Sequence, residues 1–255
     1  MIGCTWWGHS FATVELGATR VVTDPLLADR LFHLVRYAAG PGAEATRADL
    51  VLISHLHHDH CHLPSLARFD PEIPLVVPRG AEQLLRDLAG DRLVAVSPGD
   101  VVELAGVRIE VLLASHDGRR HPWSRTDPPA LGFRVSNEAR SFWYPGDTEL
   151  RDDMADVGPV DLALVPVGGW GPTLETGHLD PDEAAEAVRR VGARWAVPVH
   201  WGTFWPAGLQ RVARANHERL FRTPGPRFAQ ALSGSGVEAV VLAPGERAER
   251  PAPSL

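Results

Sequence analysis

The chain has 255 residues, 44% of them hydrophobic and 22% charged, with a formal charge of −7 at pH 7. That length can bury a sizeable core, and every one of the 25 Lys+Arg residues is arginine. Having no lysine excludes a P-loop ATPase, a kinase with a phosphate-pairing lysine and a Schiff-base enzyme using its own lysine; imidazole, carboxylate, backbone or metal must carry the chemistry.

Short runs divided by turn residues make the first 24 residues a predicted β-meander: Ile2–Trp7, Ala12–Leu16 and Arg20–Thr23. Residues 25–47 break the pattern and read as a lid or as a surface helix packing its leucines. A buried-type strand at Asp49–Ser54 runs into a histidine cluster. Predicted next are a helix at Leu63–Arg68, a strand at Leu75–Val77 and a helix at Ala81–Leu88. Strands follow at Leu93–Val96, Val101–Leu104, Val107–Ala114, Leu131–Val135, Ser141–Tyr144 and Leu162–Pro166, with a polar loop over 117–129. The clearest helix is Pro181–Val191, with Asp180 to cap it, Pro181 at its first position, Glu183 three residues after the cap and Gly192 to close it. Then come a strand at Trp195–Val199, helices at Leu209–Phe221 and Arg227–Leu232, and a last strand at Val237–Leu242. Residues 244–255 are expected to fray, leaving one domain over 1–243.

Chemistry concentrates in His55-Leu56-His57-His58-Asp59-His60. In an extended loop His55 and His57 share a face and can reach one ion, while Asp59 and His60 can face a second. Neutral imidazole and carboxylate suit zinc and other transition metals. His116, Asp147 and His200 each sit where an apolar strand meets a loop, so all can converge on one end of the fold.

In this order, HxHxDH, then His, then Gly-Asp-Thr, then His, the chain resembles the metallo-β-lactamase superfamily of dinuclear hydrolases. The resemblance implies an α+β fold, a four-layer αβ/βα sandwich with two divalent metal ions at the sheet edge. Zinc is the first expectation, with manganese or iron as alternatives. Carried over by position, His55, His57 and His116 would hold one ion and Asp59, His60 and His200 the other, with Asp147 bridging; Asp59 and Asp147 are thereby expected to be catalytic. Asp24 and His9 would support those ligands from behind. Gly8-His9-Ser10, Thr23-Asp24-Pro25, His178-Leu179-Asp180-Pro181-Asp182-Glu183-Ala184 and His200-Trp201-Gly202-Thr203-Phe204 resemble the branch that includes N-acyl-phosphatidylethanolamine-hydrolysing phospholipases D and ascorbate-6-phosphate lactonases. The chain is expected to be shorter than the former, without its long N-terminal extension, which weakens the expectation of a phospholipid substrate.

The implied reaction is hydrolysis by a metal-bridging hydroxide, since two cations can bring the pKa of a shared water towards 7. His178, just before the capped helix, is expected to contact substrate or protonate a leaving group. Arg119, Arg120 and Trp201 are candidate substrate contacts, the arginines because a guanidinium fork suits an anion. The expected substrate is a phosphodiester or another anionic small molecule; a lactone or carboxylic ester is the alternative, followed by a nuclease and a non-hydrolytic metalloprotein. Scattered arginines and acidic charge argue against a nucleic-acid partner. Two cysteines, Cys4 and Cys61, form no disulfide framework, and no signal peptide or roughly 20-residue apolar run is visible. A cytoplasmic location without a membrane span is therefore expected, and a homo-oligomer is compatible with the sequence.

Overall fold

A computed structural model describes residues 1–169 and 176–251. Two seven-stranded sheets face each other. The first runs Arg247–Arg250, Ile2–Gly8, Phe11–Leu16, Thr19–Thr23, Leu50–Leu52, Leu75–Pro78 and Leu93–Val96 in spatial order. The second runs Glu238–Ala239, Trp195–Val199, Leu162–Pro166, Ser141–Tyr144, Leu131–Ser136, Val107–Leu113 and Val101–Leu104. Each sheet is antiparallel on one side and parallel on the other.

Burial explains the layering. The parallel strands Leu50–Leu52, Leu162–Pro166 and Trp195–Val199 are buried along their whole length, as strands covered on both faces must be. Trp6, Val14, Phe133, Phe142, Leu164 and Val197 fill the space between the sheets. Leu66, Phe69 and Leu85 cover the outer face of the first sheet, against Ile53 and Val77. On the outer face of the second, Ala184, Val188 and Phe228 pack against Val165 and Ala196. The result is the expected αβ/βα sandwich.

Helix Pro181–Val191 has the predicted bounds because its signals act together. Asp180 accepts from the backbone N–H of Asp182 and Glu183, Glu183 returns a bond to the Asp180 N–H, and Gly192 closes the helix at φ +75°.

Three expectations change. Residues 25–47 do not form the surface helix, one of the two expectations for them. Arg30–Leu31 and Leu34–Arg36 make a hairpin that pairs with Phe204–Pro206, so this segment is stitched to the loop after His200. Buried Leu31 and Leu34 pin it, and a short 3₁₀ turn follows at Ala43–Thr46. The predicted helix over Leu209–Phe221 is split into Leu209–Val212, Arg214–His217 and a π-turn at Glu218–Arg222, because Ala213 leaves helical geometry (φ −103°, ψ 52°). Finally, Arg247–Arg250 lies in the expected tail but forms the edge strand beside Ile2–Thr5. Gly245 (φ +89°) makes the reversal possible, its N–H donating to Trp6 O, and Arg247 pairs with Glu15 at 2.6 Å.

Candidate metal centre

The parallel strands deliver the site. Thr19–Thr23, Leu50–Leu52, Ser141–Tyr144 and Trp195–Val199 end next to Asp24, His55, Asp147 and His200, all on one edge of the sandwich. Ligand sites in open α/β sheets favour this carboxyl edge. His9, Asp24 and His200 all have left-handed backbone (φ 53°, 34° and 63°). For residues other than glycine this costs energy and is tolerated where surrounding structure holds it. The His9 N–H donates to Thr203 Oγ1, and His9 O accepts from Trp6 Nε1 and the His200 N–H, which locks two of the three strained turns together.

Two donor groups result. In one, His55 Nε2 lies 2.9 Å from His57 Nδ1, which lies 3.2 Å from His116 Nε2. In the other, His60, His200, Asp59 and His9 converge: His60 Nε2 and His200 Nε2 are 3.3 Å apart, and His9 Nε2 is 2.8 Å from Asp59 Oδ2. Between them, Asp147 Oδ2 sits 3.2 Å from His60 Nε2, 3.3 Å from His200 Nε2 and 3.4 Å from His178 Nε2.

These spacings suit ions. A tetrahedral zinc holds nitrogen at about 2.0–2.1 Å, which puts its donor atoms roughly 3.3 Å apart. Asp147 Oδ1 is buried with no hydrogen-bond partner among the described residues, a costly state for a carboxylate oxygen and one that a cation would relieve. Tautomers are fixed from behind as metal ligands require. The His116 Nδ1–H donates to Gly177 O at 3.0 Å, leaving the Nε2 lone pair facing the cluster. His60 Nδ1–H donates to Asp24 Oδ2 at 2.7 Å. Asp24 also accepts from the Ser54 N–H (2.8 Å), Ser54 Oγ–H (2.5 Å) and Tyr144 O–H (2.5 Å).

Electrostatics point the same way. Burial, aided by neighbouring imidazoles, takes His55 well below the ordinary histidine range, lowers His57 and pushes His116 down to about 4. Neutral rings with free lone pairs follow at pH 7. For Asp59 and Asp147 burial acts upward, yet the charge fields of His60 and His200 and hydrogen bonds from His9 or His178 hold both well below the carboxylate range. Burial opposes a charged His60, but Asp147, Asp59 and Asp24 outweigh it and raise the ring well above its usual range. Three carboxylates in a buried pocket require positive charge at their centre.

His55, His57, Asp59, His60, His116, Asp147 and His200 are thus all brought together, with Asp24 behind His60. His9 stands closer than expected, its ring 4.0 Å from that of His200. His178 packs against Gly169, where even a Cβ would stand 2.8 Å from the imidazole. The arginines behave differently from expectation. Arg119 is tied back to Asp117 through Nε and Nη2, away from the cluster. Arg120 lines the polar cleft, but its guanidinium donates to Leu56 O, Cys61 O and His58 Nδ1, so it clamps the histidine loop from outside. Trp201 stacks on Trp6 and lines a neighbouring apolar chamber. Trp170 lies outside the described residues. Sequence reasoning missed Tyr144 and Ser54; their only signal was position, three residues before Asp147 and one before His55.

Paired sheets carrying such a donor set at their carboxyl edge define a metal-dependent hydrolase of the metallo-β-lactamase type. Residues 19–201 match the β-lactamase superfamily domain, and the chain belongs to that family. It is 30% identical over 242 residues to the N-acyl-phosphatidylethanolamine-hydrolyzing phospholipase D 1 of Caenorhabditis elegans, covering 85% of this chain and 68% of that one. A metal-dependent hydrolase of Thermoplasma acidophilum is 29% identical over 218 residues, covering 84% and 87%. Among solved structures, a metallo hydrolase from the archaeon Ignicoccus hospitalis superposes with a TM-score of 0.73 at 20% identity, covering 97% of both chains. Among the described residues, no helix is long and apolar enough to cross a membrane.

Proposed function

We propose that the chain hydrolyses a phosphodiester at a dinuclear centre, with His55, His57 and His116 holding one divalent ion, Asp59, His60 and His200 the other, and Asp147 bridging them. Zinc suits the imidazole-rich donor set best. The bound ions would supply a water acidic enough to ionise near neutrality and positive charge against the substrate oxygens.

The chain's own residues do the rest. Asp24, with Ser54 and Tyr144, fixes the His60 ring, and Gly177 O fixes His116. His9 holds Asp59 by a hydrogen bond and His200 by ring contact. His178 carries the reading: its Nε2 stands at the mouth of the polar cleft, 3.4 Å from Asp147 Oδ2, its ring 4.8 Å from that of His116. From there it can donate a proton to a departing alkoxide, the step on which cleavage of an unactivated phosphodiester depends. The relative named as an N-acyl-phosphatidylethanolamine-hydrolyzing phospholipase D supports the same choice.

One observation favours a second reading, a lactone or carboxylic ester. Arg119 and Arg120 both hold protein partners, so neither presents a free guanidinium fork to the cleft. The two readings separate with purified protein supplied with Zn²⁺ or Mn²⁺, assayed on bis(p-nitrophenyl) phosphate and on a lactone panel. Phosphodiester turnover is expected. Lactone turnover without any phosphodiester cleavage under either metal would overturn the first reading in favour of the second.

A further inference from the structure

Beside the polar cleft lies a second cavity of about 340 Å³. The two meet at the metal centre: His9 and His200 line the second cavity, Asp59 and Asp147 line the cleft, and His33 borders both. The chemistry of its walls is different. Trp201, Phe204, Trp205, Leu220 and Phe221 make it an apolar chamber.

Its outer wall is unusual. Leu209, Ala213, Asn216 and Leu220 recur at helical spacing and all face the chamber. Yet none of the three short helical pieces over 209–222 contributes a buried residue. Helix Pro181–Val191, by contrast, buries six residues against its sheet. The 209–222 stretch therefore spends its apolar face on a cavity. The break at Ala213 and the π-turn at Glu218–Arg222 bend it around that cavity; such irregular turns recur at functional sites.

We propose that this chamber is a substrate subsite for a compact apolar group, bonded next to the scissile group that sits in the polar cleft. The proposal rests on the hydrolase reading above and adds a substrate class: a small amphiphile with one polar, hydrolysable end and one apolar arm of about two fused aromatic rings or the equivalent alkyl volume. The size follows from the cavity. An apolar cavity of roughly 150 Å³ holds one benzene, so one of about 340 Å³ has room for a naphthyl group but not for a pair of long acyl chains. The 209–222 wall would gain from the occupant the buried contacts it otherwise lacks.

The test is binding to the zinc-loaded full chain, read by tryptophan fluorescence and calorimetry, with methyl-, benzyl- and 1-naphthylmethylphosphonate, and with 2-naphthol as an arm lacking the anion. Affinity should rise about 10–100-fold from methyl to naphthylmethyl, the effect of burying an aromatic side group. Ala213→Trp, which fills the chamber away from the metal donors, should abolish the naphthyl advantage and leave methylphosphonate binding unchanged. If that variant does not fold, Leu220→Ala, which removes an apolar part of the wall, should cut the naphthyl advantage and leave methylphosphonate binding unchanged. Equal affinities across the series overturn the chamber. Binding of 2-naphthol that Ala213→Trp removes, with no phosphonate binding, keeps the chamber and sinks the phosphodiester reading. Methylphosphonate binding with no gain from any aryl group does the reverse.

Discussion

Asp147 Oδ2 lies 3.4 Å from His178 Nε2, while Asp147 Oδ1 is buried with no hydrogen-bond partner among the described residues. One carboxylate thus faces an imidazole with one oxygen and leaves the other for a cation. Under the proposed function the two residues part company on mutation. Asp147→Ala should abolish activity and lower the metal content by at least one ion per chain, measured by elemental analysis. His178→Ala should retain both ions and the melting temperature while kcat falls about 10²–10⁴-fold, the usual range for a lost general acid. The decisive refinement is the leaving group: the loss should shrink for p-nitrophenolate, which departs without a proton, and grow for an alkyl alcohol. A loss of the same size for both leaving groups contradicts a proton-donating role.

The Tyr144–Asp24–His60 chain makes a prediction about affinity. Tyr144 O–H and Ser54 Oγ–H both donate to Asp24 Oδ2, the oxygen that also holds His60 Nδ1. Tyr144→Phe removes one donor and leaves the fully buried ring in place, so stability should fall by about 1–3 kcal/mol. Zinc affinity, measured by competition with a chromophoric chelator, should weaken by up to 10–100-fold, as for other partners behind metal ligands. Unchanged zinc affinity at reduced stability would show that the tyrosine only packs.

How much of this was legible before the fold was known depended on whether the signal is local. Helix Pro181–Val191 carries its cap, its first-turn proline and its terminating glycine within thirteen residues, so its bounds could be read directly. The histidine run announces itself by density, and His116, Asp147 and His200 by their place after apolar strands. The 209–221 stretch misled because its helical spacing is real; what it faces is a cavity, and periodicity cannot tell a cavity from a core. Arg247–Arg250 looked like a tail because an edge strand joined by a proline–glycine turn has no local signature beyond polar composition. Arg119 and Arg120 differ in role although adjacent, since one meets Asp117 two residues away and the other meets carbonyls some 60 residues distant in sequence.

Acid should destabilise the metal-free protein within a defined window. Burial first, and the nearby His200 second, push His9 down to about 4, and burial does the same to His116, against 6.5 for a free imidazole. The unfolded chain therefore binds more protons between these values. Their contribution to stability is complete above pH 6.5 and is lost as the pH falls to about 4, at most roughly 3 kcal/mol for His9. His60 is shifted the other way, so below pH 6.5 it is protonated in both states and adds no slope there. Chelator-treated protein should show a falling melting temperature from pH 6.5 to 4. His9→Gln should flatten part of that slope; a slope identical to the parent's would remove His9 from the account.

The last prediction separates a clamp from a substrate contact. Arg120 Nη1 donates to Leu56 O and Cys61 O on either side of the metal-binding loop, and Nη2 donates to His58 Nδ1. Two of these bonds go to the loop backbone and the third to His58, which like Arg120 lines the cleft. Arg120→Met keeps the stem's apolar packing and removes the donors, leaving two half-buried carbonyls to find water. Stability should drop by about 1–3 kcal/mol, and metal should be lost at a lower chelator concentration because the loop carrying His57, Asp59 and His60 is no longer held at both ends. With saturating zinc, KM should stay within about threefold of the parent's, since no substrate bond is lost. An Arg acting on an anionic substrate predicts the opposite split: normal metal retention and stability, with KM raised by ten-fold or more, in line with the roughly 1.5–3 kcal/mol of a charge-assisted hydrogen bond. Steady-state kinetics at saturating zinc, beside a chelator titration of the same preparation, decide between the two.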